Sequence, residues 1–209
     1  MVRTKLVAAT IIRMSHIKTE KNKLIQRGVN LEYITLGWNV VGVAVVFMAA
    51  IAARSVALAG FGFDSFIEIF ASVIVVWQLK SINKDKERLA ERLIGFAFFA
   101  LAAYIIIQIV IVLQSSVHPE HSPIGIVWLA LTAIVMLLLA YGKKKIGKAI
   151  PNVILQTEAK VTVIDATLAI SVLVGLIINV LFGIWYADLL AALIIVYYGI
   201  KEGLHAIRP

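Results

Sequence analysis

The stretch SVALAGFGFDSFIEIFASVIVVWQL, residues 55–79, is apolar enough to lie in lipid, yet it carries two carboxylates, Asp64 and Glu68. Two readings of Asp64 compete. As a helix N-cap, a position Asp favours, it starts a helix near Ser65 that ends at Leu79 and covers only about 22 Å, short of the ~30 Å hydrocarbon core. The cap reading fails on length. With the helix starting near Ser55 instead, Asp64 and Glu68 fall close to mid-membrane.

A charge at that depth costs at least about 2.5–3.5 kcal/mol, so ionisable residues there usually line a polar pathway. The four-residue spacing places both carboxylates on one helix face, one turn apart. Like charges so close repel, and the pair needs a proton or a cation to neutralise it. Two acids one turn apart on a buried face describe a site that exchanges protons for a metal ion.

Working outward, five further apolar runs accompany this one: about 31–52, 93–115, 124–142, 158–181 and 185–204. Each approaches the ~20 residues that a spanning helix needs. The chain has 209 residues, is 61% hydrophobic and has a mean hydropathy of +0.96, above the ~45–50% apolar content of soluble domains. The expected fold is an all-α membrane protein with six transmembrane helices over residues 31–209. Residues 1–30 form a basic cytoplasmic segment, either an interfacial helix on an anionic leaflet or a frayed tail. No separate C-terminal soluble domain is expected.

The net charge of +8 is explained by topology and gives no support to nucleic-acid binding. Seven of the 20 Lys and Arg residues precede the first span, five lie in or beside SINKDKERLAER, five in or beside YGKKKIGKAIPNVILQTEAK, and two near the C-terminus. Only Arg54 falls on the other side. The positive-inside rule then puts both termini in the cytoplasm, across a cell membrane or an equivalent inner membrane. The absence of cysteine excludes disulfides and thiolate ligands.

A divalent site needs donors from a second helix, and the fifth span has them. Asp165 lies deep in an apolar run, Glu158 sits about two turns earlier on nearly the same face, and Thr162 fills the turn between. Glu158 also reads as a solvated acid at a helix start. Asp188 and Glu32 read as first-turn acids favoured by the helix dipole. Asn39 offers either a carbonyl to the site or a hydrogen bond between helices. None of the four histidines lies inside a span, which removes His-dependent intramembrane proteolysis. His118 and His121 could gather metal on the outer face, although a three-residue spacing in a short loop points there only weakly.

These motifs resemble the transmembrane part of the cation diffusion facilitator family, from about Leu31 to Gly203. SVALAGFGFDSFIEIFAS is similar to the family's second helix with its DSxxD motif, Glu68 taking the second acid's place. TEAKVTVIDA is similar to the fifth-helix pattern of a leading polar residue, Glu158, then HxxxD ending in Asp165, with Val161 in place of the histidine. FGIWYADLLAALIIVYYGIKEG is similar to the family's tryptophan-containing turn and sixth helix. The resemblance implies a transporter, not an enzyme, that carries a divalent cation (Zn, Mn or Fe) out of the cytoplasm in exchange for protons, without an organic cofactor. It also implies a homodimer, which here would be held by transmembrane surfaces or by the N-terminal segment. The expected metal ligands are Asp64, Glu68, Asp165 and Glu158. The alternatives from other classes are a non-transporting membrane protein whose buried acids bind a structural ion or a partner, and a passive metal channel.

Overall fold

The computed structural model describes the backbone of residues 2–80, 84–115, 118–150 and 153–207, and side chains from residue 20 onward except 21, 71, 74–91, 94, 151–154 and 157. Six helices follow one another: α1 (Val2–Ala53), α2 (Val56–Lys80), α3 (Lys84–Gln114), α4 (Pro123–Ala149), α5 (Val153–Phe182) and α6 (Tyr186–Ile207). Among the described residues there is no strand, and five helices (α1, α3, α4, α5 and α6) are long and apolar enough to cross a bilayer. α2, at 25 residues, is about 37 Å long. The fold is an all-α membrane protein.

α1, α3 and α4 begin or end well beyond their apolar runs, because the flanking charged segments are themselves helix formers. KDKERLAER extends α3 backward to Lys84, and YGKKKIGKA carries α4 on to Ala149; Lys, Arg, Glu, Leu and Ala all favour helix. The basic N-terminal segment joins the first span in one 52-residue helix. Helix ends occur where the local chemistry stops them. Ser122 caps α4, accepting from Gly125 N–H at 3.2 Å, and Pro123 takes the first helical position. α5 ends at Gly183, whose φ of 67° lets its N–H return to the Asn179 carbonyl at 2.9 Å.

The helices close a circuit in which α1 packs on α2 and α4, α4 on α5, α5 on α6, α6 on α3 and α3 on α2. α2 also reaches across to α5 and α6. One end of the bundle joins three turns: Glu120 N–H donates to the Ala53 carbonyl at 2.7 Å, Arg54 pairs with Glu120 at 3.3 Å, and Asn179 donates to the Pro119 carbonyl at 3.2 Å. At the other end the start of α3 meets the end of α6, where a Cβ on Gly95 would stand 3.0 Å from the Gly203 carbonyl. Gly175 on α5 is equally close to the Ala187 carbonyl of α6, so the small residues spaced four apart serve close helix packing.

The apolar core, with Val46, Leu58, Ile105, Leu129, Val172 and Ile195 almost fully buried, fills the half of the bundle nearer the three turns. Large apolar side chains cover the outside: Ile51 is 78% exposed, Phe182 70% and Leu138 67%. Such a surface would associate in water. In a bilayer it is what lipid requires.

Candidate metal centre

Seven charged side chains are buried among the described residues, six acids and one base: Glu32, Asp64, Glu68, Glu158, Asp165, Asp188 and Lys143. They separate into three groups according to what surrounds each.

Asp188 belongs to the end with the three turns. Its carboxylate accepts from Val56 N–H at 2.9 Å, from Ala57 N–H at 3.2 Å and from the Ser55 hydroxyl, while Ser55 Oγ accepts from Leu58 N–H at 3.0 Å. Ser55 N–H itself bonds the Ala50 carbonyl at 3.1 Å, and Ala59 N–H makes the first helical bond, to the Ser55 carbonyl. All four orphan donors at the start of α2 are thus met. Asp188 is structural, as its position suggested, but it serves the N-terminus of α2 as well as lying in the first turn of its own helix.

The second group lies about 30 Å along α4 from Pro123. Lys143, which its neighbours Lys144 and Lys145 make look like part of a solvated loop, is 0% exposed. Its ammonium lies 3.0 Å from Glu32 Oε2 and 3.4 Å from Glu158 Oε1, and donates to Thr162 Oγ1 at 3.0 Å. The Glu32 contact is an ion pair without hydrogen-bond direction, since both Glu32 oxygens lack a hydrogen-bond partner. Glu32 is not a first-turn acid, because α1 begins 30 residues earlier, at Val2. The signal for Lys143 was its register: it continues the buried stripe Leu129, Met136, Ala140, Lys143, Gly147 at three-, four- and seven-residue intervals.

The third group joins α2 and α5 halfway along their length. Glu68 of α2 faces Asp165 of α5, with Asn39 of α1 beside Glu68. Asp64 is one turn from Glu68 along α2. All three carboxyl groups are about 95% buried. Glu68 Oε1, Asp165 Oδ2, Asn39 Nδ2 and, one turn beyond Glu68, Ser72 Oγ have no hydrogen-bond partner. Two carboxyl groups this close need a proton or a cation between them, and unmatched polar atoms at this depth are costly. The donors fit a hard cation. Among the described residues, no three carboxylate or imidazole side chains are drawn together into a closed cluster.

Sequence reasoning had these three acids facing one another, and the structure brings Glu68 and Asp165 together with Asp64 beside them. It gives the fourth expected ligand, Glu158, to Lys143. Ser72 and Lys143 were missed. His118 stacks on Trp185 with ring centroids 4.0 Å apart, and among the described residues it joins no group of three metal-ligating side chains.

Residues 33–209 match the family model described as the cation efflux transmembrane domain. The chain belongs to this family. It is a multi-pass integral membrane protein and a cation transporter of the cation diffusion facilitator kind, and the match runs through all six helices from α1 onward. In this cation efflux protein the helix pair that the sequence singled out, α2 and α5, carries Glu68 Oε1 and Asp165 Oδ2, two buried oxygens that among the described residues have no hydrogen-bond partner.

Proposed function

We propose that the protein exchanges a divalent metal ion, Zn, Mn or Fe(II), for protons at a site formed by Asp64, Glu68 and Asp165. The observation that carries this reading is the facing pair Glu68 and Asp165, with oxygens that no protein donor satisfies. Deprotonated, these groups bind the metal; protonated, they release it. Ser72 and the Asn39 side chain stand nearby to supply further oxygen, and Glu158 is held by Lys143. An all-oxygen site favours manganese or iron(II) over softer ions, while zinc also binds carboxylates well.

The basic residues at the end carrying the termini orient that end to the cytoplasm. With protons entering down their gradient, metal leaves the cell. Rocking of the bundle about this midplane site would give alternating access. A second copy of the chain is taken to pair through the apolar transmembrane faces.

The test is flux in proteoliposomes with a pH dye inside. Manganese movement should be accompanied by an opposing proton movement, and Asp165→Asn and Glu68→Gln should each abolish both. Metal flux without any pH change in the lumen would identify a passive channel and overturn the exchange. Unchanged metal affinity in both variants would overturn the site.

A further inference from the structure

The triad of Lys143, Glu32 and Glu158 is not explained by metal exchange at the deeper acids. Three helices meet at it. α1 contributes Glu32 and α5 contributes Glu158 and Thr162, all oxygen donors, and α4 contributes Lys143, the one buried base among the described residues. Thr162 is further fixed by donating to the Glu158 carbonyl at 2.9 Å. Two carboxylates and a hydroxyl around a single positive centre, at 3.0–3.4 Å, make an oxygen cage of the kind that holds a hard cation.

The triad's position matters as much as its composition. Glu158, Thr162 and Asp165 occupy successive turns of one face of α5. The Lys143 ammonium is therefore one to two turns from the exchange site, on the side of the bundle that carries the termini, and near enough for its charge to reach Glu68. Were Glu158 free, it would extend the deeper carboxylates into a continuous row able to take a second ion.

We propose that Glu32, Glu158 and Thr162 form a second cation site whose resident occupant is the Lys143 ammonium, and that this occupant limits the protein to one exchangeable metal ion per chain. The proposal rests on the preceding reading only for that one ion; the second site stands on its own geometry. Lysine is suited to the task because its ammonium is a compact point charge with three donors on a flexible stem. It cannot leave along the pathway as a metal can.

The test counts manganese ions bound per chain by equilibrium dialysis of the purified protein, with free manganese measured by electron paramagnetic resonance. The parent should bind one ion, Lys143→Met two, and Lys143→Arg one. The pair Lys143→Gln with Glu32→Gln keeps the net charge of the triad, guards against misfolding of the single variant, and should also gain an ion, held more weakly. Adding both Glu32→Gln and Glu158→Gln to Lys143→Met, which leaves no carboxylate at the triad, should return the count to one. An equal count in the parent, Lys143→Met and the charge-balanced pair overturns the second site. Repeating the comparison with Asp165→Asn present separates the two readings. Loss of the parent's ion with the gain from Lys143→Met retained supports both; an Asp165→Asn count equal to the parent's overturns the exchange site and leaves the second site standing.

Discussion

Replacing Asp188 by alanine should be among the most destabilising single changes in the bundle. Three donors lose their acceptor: Val56 N–H, Ala57 N–H and the Ser55 hydroxyl. Val56 is 5% exposed and Ala57 0%, so water cannot replace the carboxylate at either amide. A stranded buried donor costs about 1–3 kcal/mol, and loss of a negative charge at a partly buried helix N-terminus removes up to ~2 kcal/mol more. Ser55 keeps its bond from Leu58 N–H, and removing a buried charge recovers part of its desolvation. The net loss should be about 3–5 kcal/mol, a large share of the ~5–15 kcal/mol that holds a typical protein folded. Asp188→Asn keeps one acceptor and should lose about 1–2 kcal/mol. Unfolding by SDS in mixed micelles, followed by tryptophan fluorescence, measures both. The folded fraction of either variant should bind metal with the parent's affinity, since Asp188 lies at the end of the bundle away from Glu68 and Asp165. An alanine variant as stable as the parent to within about 1 kcal/mol would refute the capping argument, and a selective loss of metal affinity would make Asp188 a ligand instead.

Three further outcomes follow from the same geometry. Asp165→Asn, expected on the proposed reading to abolish exchange, should leave the bundle as stable as the parent or stabilise it by about 1 kcal/mol in metal-free detergent, because it replaces a buried carboxyl whose Oδ2 has no hydrogen-bond partner; a marked drop in midpoint would mean that the acid has a structural partner. Gly183→Ala should cost about 1–2 kcal/mol from its φ of 67° alone, with open space around the added Cβ and with Gly183→Asn milder, as thermal midpoints would show. Trp38→Phe removes the Nε1 hydrogen bond to Thr132 Oγ1 at 3.1 Å and part of the stacking on Trp128, and should lower stability by about 1–2 kcal/mol in the same assay.

What the sequence makes legible here is whatever breaks a pattern. Asp64, Glu68 and Asp165 stand out because a carboxylate inside an apolar run has a cost that must be met, and that cost can be read without knowing the neighbours. Lys143 breaks no pattern. It opens a run of lysines at the end of an apolar segment, where solvated bases are ordinary, and only its phase on the α4 stripe distinguishes it from Lys144 and Lys145, both exposed. Asp188 was legible as structural because first-turn acids are common, but the helix end it caps lies more than 130 residues earlier, at Ser55 and Val56. Helix limits were misjudged where charged helix formers continued beyond the lipid-facing run. Local composition reports what a residue costs; the partner that offsets the cost is a tertiary fact.

That distinction also separates the proposed exchange site from the other two charged groups. Asp188 is compensated by backbone amides that cannot leave, and Glu32 and Glu158 by an ammonium tethered to α4. Each of these acids is held by something covalently part of the fold. Glu68 and Asp165 face each other with oxygens that no protein donor satisfies, and Asp64 adds a third charge from the next turn. On the proposed reading their compensation comes from outside, as protons or as a metal ion, and because it is external it can be exchanged. A site in which every acid had a protein partner would be more stable and would carry nothing.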